Sequence, residues 1–417
     1  MPDVTITNAR ILTLSGDEGP RHGEAMSELG AIDNGWLSVT NGRISGIGEG
    51  SPPETELADV VLDLDGRIVL PCWVDCHTHA CWAGSRLSEW ESLLSGMAYS
   101  DILAGGGGIL STVRAVRNTP QEQLVNALQI RAGRMQVYGT GTLEVKSGYG
   151  LSTESEVKML RAIHEVSQDS DQQIVGTFLG AHAIDPEQPD FVDLVIEDTL
   201  PAVVSEFPGI TCDAYLDAAA WSLDQTRRLF TRAIELGCPI RLHTDQFNSV
   251  GGVPMAIEMG AKSVDHLEAI TPADIATLAC STTVGVLLPA SGFHLDGRYA
   301  PGRNLIDAGA AIAIATNCNP GSAPTSSMPM TIALACRFCG LRPAEAITAA
   351  TWNSAAVLGL EDEVGSLELG KRADIQVLDE RDIRAVAWEF GAVPPPIILL
   401  DGTPVQFLAE SSEEEPE

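Results

Sequence analysis

Eight short apolar runs recur along the chain, and six of them end in a polar or ionisable residue. In order they are VLPCWVDCHTH (Val69–His79), GTLEVKS (Gly141–Ser147), IVGTFLGAH (Ile174–His182), GITCDA (Gly209–Ala214), PIRLHTD (Pro239–Asp245), KSVDH (Lys262–His266), TVGVLLP (Thr283–Pro289) and AIAIATN (Ala311–Asn317). Stretches of helical periodicity separate them. Strand–helix alternation repeated eight times predicts an α/β fold, a closed (β/α)8 barrel of the TIM type. Such barrels place their chemistry at the carboxyl ends of the strands. Those ends carry His77, His79, His182, His243, His266 and Asn317, so five of the eight histidines fall at one rim.

The flanks read differently. Residues 1–66 alternate as short strands and include the turn signal Asn41-Gly42. Residues 365–417 echo them with GSLELGKRADIQVLD and PPIILLDGTPVQFL. The prediction is a small composite β-sandwich domain built from both termini (1–66 plus 365–417) beside a barrel over 67–364. Thr153-x-x-Glu156 reads as a capping box. Thr271-Pro272 followed by Asp274 reads as a helix start, and Leu341–Leu360 as one helix ending near Gly359. Gly105–Gly108 forms a loop without the Lys-Ser/Thr of a phosphate cradle, which argues against nucleotide binding.

Length and charge narrow the function classes. A chain of 417 residues fits a barrel plus one smaller unit. No run approaches the roughly 18–20 apolar residues of a membrane span, and the amino-terminal segment lacks the basic region of a signal peptide. A net charge of −32 argues against nucleic acid or an anionic membrane as partner. Nine irregularly spaced cysteines suit a reduced cytoplasm rather than a disulfide framework. The acidic tail Glu410–Glu417 reads as a solvated end.

His77-Thr78-His79 carries the strongest chemical signal. Alternate residues of a strand share a face, so two imidazoles there can grip one divalent metal. Cys72, Cys76 and Cys81 raise a competing structural Cys/His zinc site, or else are packing residues. His182, His243 and His266 could each be a hydrogen-bonded core histidine. Their equivalent positions at the ends of three other strands point instead to a shared metal hydrolase site.

The chain resembles the imidazolonepropionases of the amidohydrolase superfamily. The matching stretches are DCHTHACWAGSRLSEW (Asp75–Trp90), GGGILSTVRAVR (Gly106–Arg117), LEVKSGYGL (Leu143–Leu151), TFLGAHAI (Thr177–Ile184), HTDQFNSVGG (His243–Gly252), DHLE (Asp265–Glu268) and NCNPGSAPTSSMP (Asn317–Pro329). The resemblance implies hydrolysis of the cyclic amide of 4-imidazolone-5-propanoate to N-formimino-L-glutamate. It implies one metal ion, Zn²⁺ or Fe²⁺/Fe³⁺, held by His77, His79, His243 and the residue at 317, and a cytoplasmic homodimer acting on a small molecule. Arg86, Tyr149, His182, Gln246 and His266 match positions that contact substrate or assist the chemistry.

Residue types agree with these roles. His266 can move a proton near neutrality, and His182 can hydrogen-bond the ring or its oxyanion. Arg86 can grip a propionate carboxylate, or pair with Glu89 at the surface. Tyr149 is a ring contact or a packing residue. Gln246 is a ring partner or a solvated amide. Lys146 can form an ion pair with Glu144. One position departs from the family pattern: aspartate is expected at 317, and Asn317 offers a carbonyl oxygen without charge or basicity. An active variant relying on His266, a hydrolase or deaminase of a related nitrogen heterocycle, and a weak or non-catalytic ligand-binding relative all fit that departure.

Overall fold

The computed structural model describes residues 3–16, 18–97, 107–391 and 393–407. Its strands form two sheets. The barrel sheet comprises β6 (Trp73–Asp75), β7 (Thr140–Lys146), β8 (Gln173–Ala181), β9 (Thr211–Leu216), β10 (Ile240–Thr244), β11 (Ser263–His266), β12 (Val284–Leu287) and β13 (Ile312–Ile314). Each strand runs parallel to the next, in chain order. All seven residues of β7 are buried, as expected for a strand covered by helices outside and side chains within. The ends of the sheet meet through loop backbone. Asn317 N–H donates to the His77 carbonyl (3.1 Å), and His79 N–H to that of Cys318 (3.0 Å). The Asp75 carboxylate accepts from Thr316 N–H at 3.1 Å and Thr316 Oγ1 at 2.5 Å.

The second sheet draws on both ends of the chain: β1 (Val4–Leu12), β2 (Ala31–Thr40), β3 (Arg43–Glu49), β4 (Val60–Asp63), β5 (Ile68–Pro71), β14 (Ile375–Val377), β15 (Ile397–Leu400) and β16 (Thr403–Phe407). They follow the order β16-β15-β14-β5-β1-β2-β3, with β4 also on β1. Asn41 and Gly42 are both left-handed (φ 51° and 78°) between β2 and β3, the geometry of a type I′ hairpin turn. One apolar cluster, including Ile6, Ile11, Leu37, Val69, Ile375 and Leu399, fills this unit.

Three local expectations are corrected. The run Val69–His79 is two strands, not one. β5 pairs with β1 and β14 of the second sheet. Pro71 has no N–H to extend that ladder, and Trp73 N–H turns to the Gly139 carbonyl of the barrel (2.8 Å). The predicted capping box is absent: the helix Thr153–Asp169 is capped by Ser152, whose side chain accepts from Ser155 N–H. Glu156 turns inward instead. It accepts from the backbone N–H of Gly148 (2.9 Å), Gly150 (2.7 Å) and Leu151 (2.8 Å) and so shapes the loop after β7. The segment Leu341–Leu360 is two helices, Pro343–Ala349 and Trp352–Leu358. They part at Thr351, whose hydroxyl donates to the Ile347 carbonyl (2.6 Å). The Thr271 cap forms as expected. Gly105, Gly106 and the tail Glu410–Glu417 lie outside the described residues. No helix among the described residues is long and apolar enough to cross a membrane.

Candidate active site

The ends of β6 and β10 bring His77, His79 and His243 together. One ligand nitrogen from each lies within 4.8 Å of the others, and all three side chains are buried. Nε2 of His79 and Nε2 of His243 are 3.3 Å apart. His77 Nδ1 faces Asp265 Oδ2 at 2.6 Å, and His243 Nδ1 faces Asp213 Oδ1 at 3.1 Å. Each carboxylate accepts a hydrogen bond from Nδ1–H, which leaves the Nε2 lone pair for an ion, the usual arrangement behind metal-bound histidine. Burial holds all three imidazoles below their ordinary range and so neutral; the Lys146 charge adds to this at His77.

Asn317 lies beside the group, its backbone N–H on the His77 carbonyl. Its backbone is left-handed (φ 53°), which asparagine tolerates. Its Nδ2 donates to Ser291 Oγ at 2.8 Å. His77 Nε2 and Asn317 Oδ1 are buried without a hydrogen-bonding partner. Acceptors stranded in this way cost free energy, and a cation between them would satisfy both. The residues therefore fit a metal ion. The nearby cysteines do not belong to this group. Cys72, Cys76 and Cys81 are buried, and burial pushes the Cys76 and Cys81 thiols up to about 12. They pack, and the Cys/His zinc alternative fails.

A cavity of about 540 Å³ opens above this group, lined by His79, Arg86, Tyr149, His182, Gln246, His266 and Asn317, among others. His266 ends β11 in a left-handed conformation (φ 90°), a strained backbone of the kind that collects at functional sites. Its Nδ1 faces Glu268 Oε1 at 3.2 Å. His182 Nδ1 faces the Gly148 carbonyl at 3.1 Å. A carbonyl only accepts, so His182 Nδ1 carries the proton and Nε2 is an acceptor. Burial lowers His182 to about 3, which keeps the ring neutral. In this state Nε2 of His182 faces the cavity as an acceptor, suited to a ring N–H. Gly148 makes this fit possible: at φ 106° a Cβ there would lie 3.0 Å from His182 Nδ1.

A match to the amidohydrolase family model spans residues 68–409. The chain belongs to the amidohydrolase family. It is 43% identical to an imidazolonepropionase of Herpetosiphon aurantiacus over 97% of both chains. It is 44% identical to one of Deinococcus radiodurans over 89% of this chain and 92% of that one. Its fold is similar to those of 5-methylcytosine deaminase from Klebsiella pneumoniae (TM-score 0.74, 17% identity, 98% of both chains) and E. coli guanine deaminase (TM-score 0.74, 16% identity, 98% of this chain and 100% of that one).

Two ion pairs expected from the sequence form at this amidohydrolase site. Arg86 does pair with Glu89, through Nε (2.7 Å) and Nη2 (2.6 Å). The pair is largely buried at the cavity, not on the surface. Gly321 makes room for it, since a Cβ there would lie 2.4 Å from Arg86 Nη1. Lys146 pairs with Glu144 (2.6 Å) and also with Asp213 (2.8 Å). Sequence reasoning missed Asp213, Asp265, Glu268, Asp217 and Ser291 as supports. Asp217 accepts from the backbone N–H of Phe247 (2.9 Å) and Asn248 (3.2 Å) and so braces the loop that carries Gln246. The signal for Asp265 and Glu268 was present in DHLE; Asp213 and Ser291 carried none.

Proposed function

We propose that this amidohydrolase opens the ring of 4-imidazolone-5-propanoate to give N-formimino-L-glutamate, a step of histidine degradation. One observation carries the reading: three neutral imidazoles and a stranded amide oxygen converge beneath a cavity that also holds an arginine and two further histidines. The name shared by its full-length relatives supports the same substrate. His77, His79, His243 and Asn317 Oδ1 would hold one metal ion, Zn²⁺ or Fe²⁺/Fe³⁺. When bound, such an ion supplies a water of lowered pKa and polarises a carbonyl.

The chain's own residues do the rest. Water oxygen bonds to the ring carbonyl carbon, the ring C–N bond breaks, and that carbon becomes a carboxylate, with one water proton passing to the leaving nitrogen and the other to solvent. His266 takes the water proton on Nε2 and returns it to the leaving nitrogen, while Glu268 steadies the imidazolium. His266 assumes the base role because Asn317 has no basic atom at neutral pH. His182 Nε2 accepts a ring N–H. Gln246 reads the amidine edge, Tyr149 contacts the ring, and Arg86 meets the propionate with its Nη groups. The reading includes a homodimer in a reducing cytoplasm, to which nine unpaired cysteines are suited. Metal analysis and turnover of 4-imidazolone-5-propanoate test it together. One equivalent of metal with formiminoglutamate as product is expected; metal without that product would overturn the substrate, and neither would overturn the hydrolase.

A further inference from the structure

Below the cavity floor, five charged side chains close a loop between two of the three imidazoles. From His77 it runs to Asp265 (2.6 Å), Arg241 (2.7 Å), Glu144 (2.8 Å), Lys146 (2.6 Å), Asp213 (2.8 Å) and His243 (3.1 Å). All five charged residues are at most 1% exposed. Asp213, His243 and Asp265 also satisfy the spacing of a metal group. Lys146 and Arg241 already engage both carboxylates there, so that trio is scaffold, not a second metal site. Glu144 is the hub of the loop. Its Oε1 receives both Lys146 and Arg241. Its Oε2 receives the backbone N–H of Thr78 at 3.3 Å, and its carbonyl receives Thr78 Oγ1 at 2.6 Å. Thr78 is the residue between His77 and His79. One side chain therefore touches the support of all three imidazoles.

The loop also carries a charge. Three carboxylates against two cations leave one net negative charge, buried directly behind neutral donors. Asn317 contributes none. A dication drawn to three imidazoles and an amide oxygen has no anionic ligand, and the net charge of the loop lies directly behind two of those imidazoles. Charge this deep is weakly screened and acts over several ångströms.

We propose that Glu144 is the positioning residue of the metal centre, the carboxylate that holds the three ligand imidazoles in register and gives the ion the counter-charge that Asn317 lacks. The proposal rests on the metal reading above. Its test is Zn²⁺ affinity, measured by chelator competition on the full chain for the wild type, Glu144→Gln, Asn317→Asp and the double variant. Glu144→Gln is expected to weaken Zn²⁺ binding about ten- to a hundredfold. Asn317→Asp should recover most of that loss and gain less in the wild type than in the Gln background. Simple damage to the fold would not be repaired by a carboxylate at the rim. With saturating Zn²⁺, KM should stay within about twofold, since the side chain of Glu144 bonds to Lys146, Arg241 and Thr78. If Glu144→Gln does not fold, Glu144→Asp carries the positioning part of the test: charge kept and reach shortened, it should bind more weakly than the wild type, with a gain from Asn317→Asp no larger than in the wild type. A wild type that binds no Zn²⁺ would overturn the metal reading and this proposal with it. A wild type that binds, with unchanged affinity in the Glu144 variants or equal gains from Asn317→Asp in the wild type and the Glu144→Gln background, would overturn this proposal alone.

Discussion

The barrel rim and the second sheet solve opposite problems. The second sheet is an apolar unit whose cluster is entirely aliphatic. Several of its ion pairs, such as Arg10 with Asp33 and Arg381 with Asp65, are exposed, where such pairs contribute little, and Arg372 with Asp374 is a largely buried exception. The rim buries five charges in one loop, strands polar atoms and bends His266 and Asn317 into left-handed backbone. Buried ion pairs are weak contributors to stability because desolvation offsets their attraction. The difference teaches that stability is concentrated where chemistry is absent, while the rim carries local costs in order to hold imidazoles in place.

Four substitutions test that division, the largest effect first. His77→Ala should lower kcat/KM about ten-thousandfold, or about 5 kcal/mol of transition-state stabilisation, with the protein still folded by circular dichroism. Next comes Asp75, which burial raises to about 7 from the ordinary carboxylate value. Its protonated form is favoured in the fold, so this contribution to stability is complete below about pH 4 and is lost as pH rises through 7. Urea denaturation of chelator-treated protein should show Asp75→Asn gaining on the wild type by up to about 4 kcal/mol between pH 4 and pH 8. Parallel profiles would mean that Asp75 is ionised in the fold. In the second sheet, Ile375→Ala should cost about 2–4 kcal/mol of stability. Its kcat/KM per folded molecule should stay within about threefold, and a larger kinetic loss would break the division. Smallest, Arg86→Ala should raise KM about ten- to a hundredfold with little change in kcat; an unchanged KM would remove the carboxylate grip.

The barrel and its rim were legible because eight apolar runs alternate with helical stretches and four of them carry histidine at or near their carboxyl ends, and an alternation of that kind leaves few topologies. The grouping of His77, His79, His243 and Asn317 came from the family resemblance. What stayed hidden depends on contacts between distant strands. Val69 and Trp73 are equally apolar, so nothing in the run shows that the chain changes sheets at Cys72. Glu156 has the spacing of a capping box, but three loop N–H groups compete for its carboxylate and win. Asp213 and Glu144 read as ordinary strand residues, and their meeting through Lys146 appears only once β7 and β9 lie on either side of β8.

The central claim is that imidazoles from separate strands converge on one cation, and anomalous diffraction from crystals grown with Zn²⁺ tests it most directly. The account predicts a single peak about 2.0–2.1 Å from one ring nitrogen each of His77, His79 and His243, with Asn317 Oδ1 turned toward it. A peak elsewhere, or none at full Zn²⁺ occupancy of the solution, would contradict it.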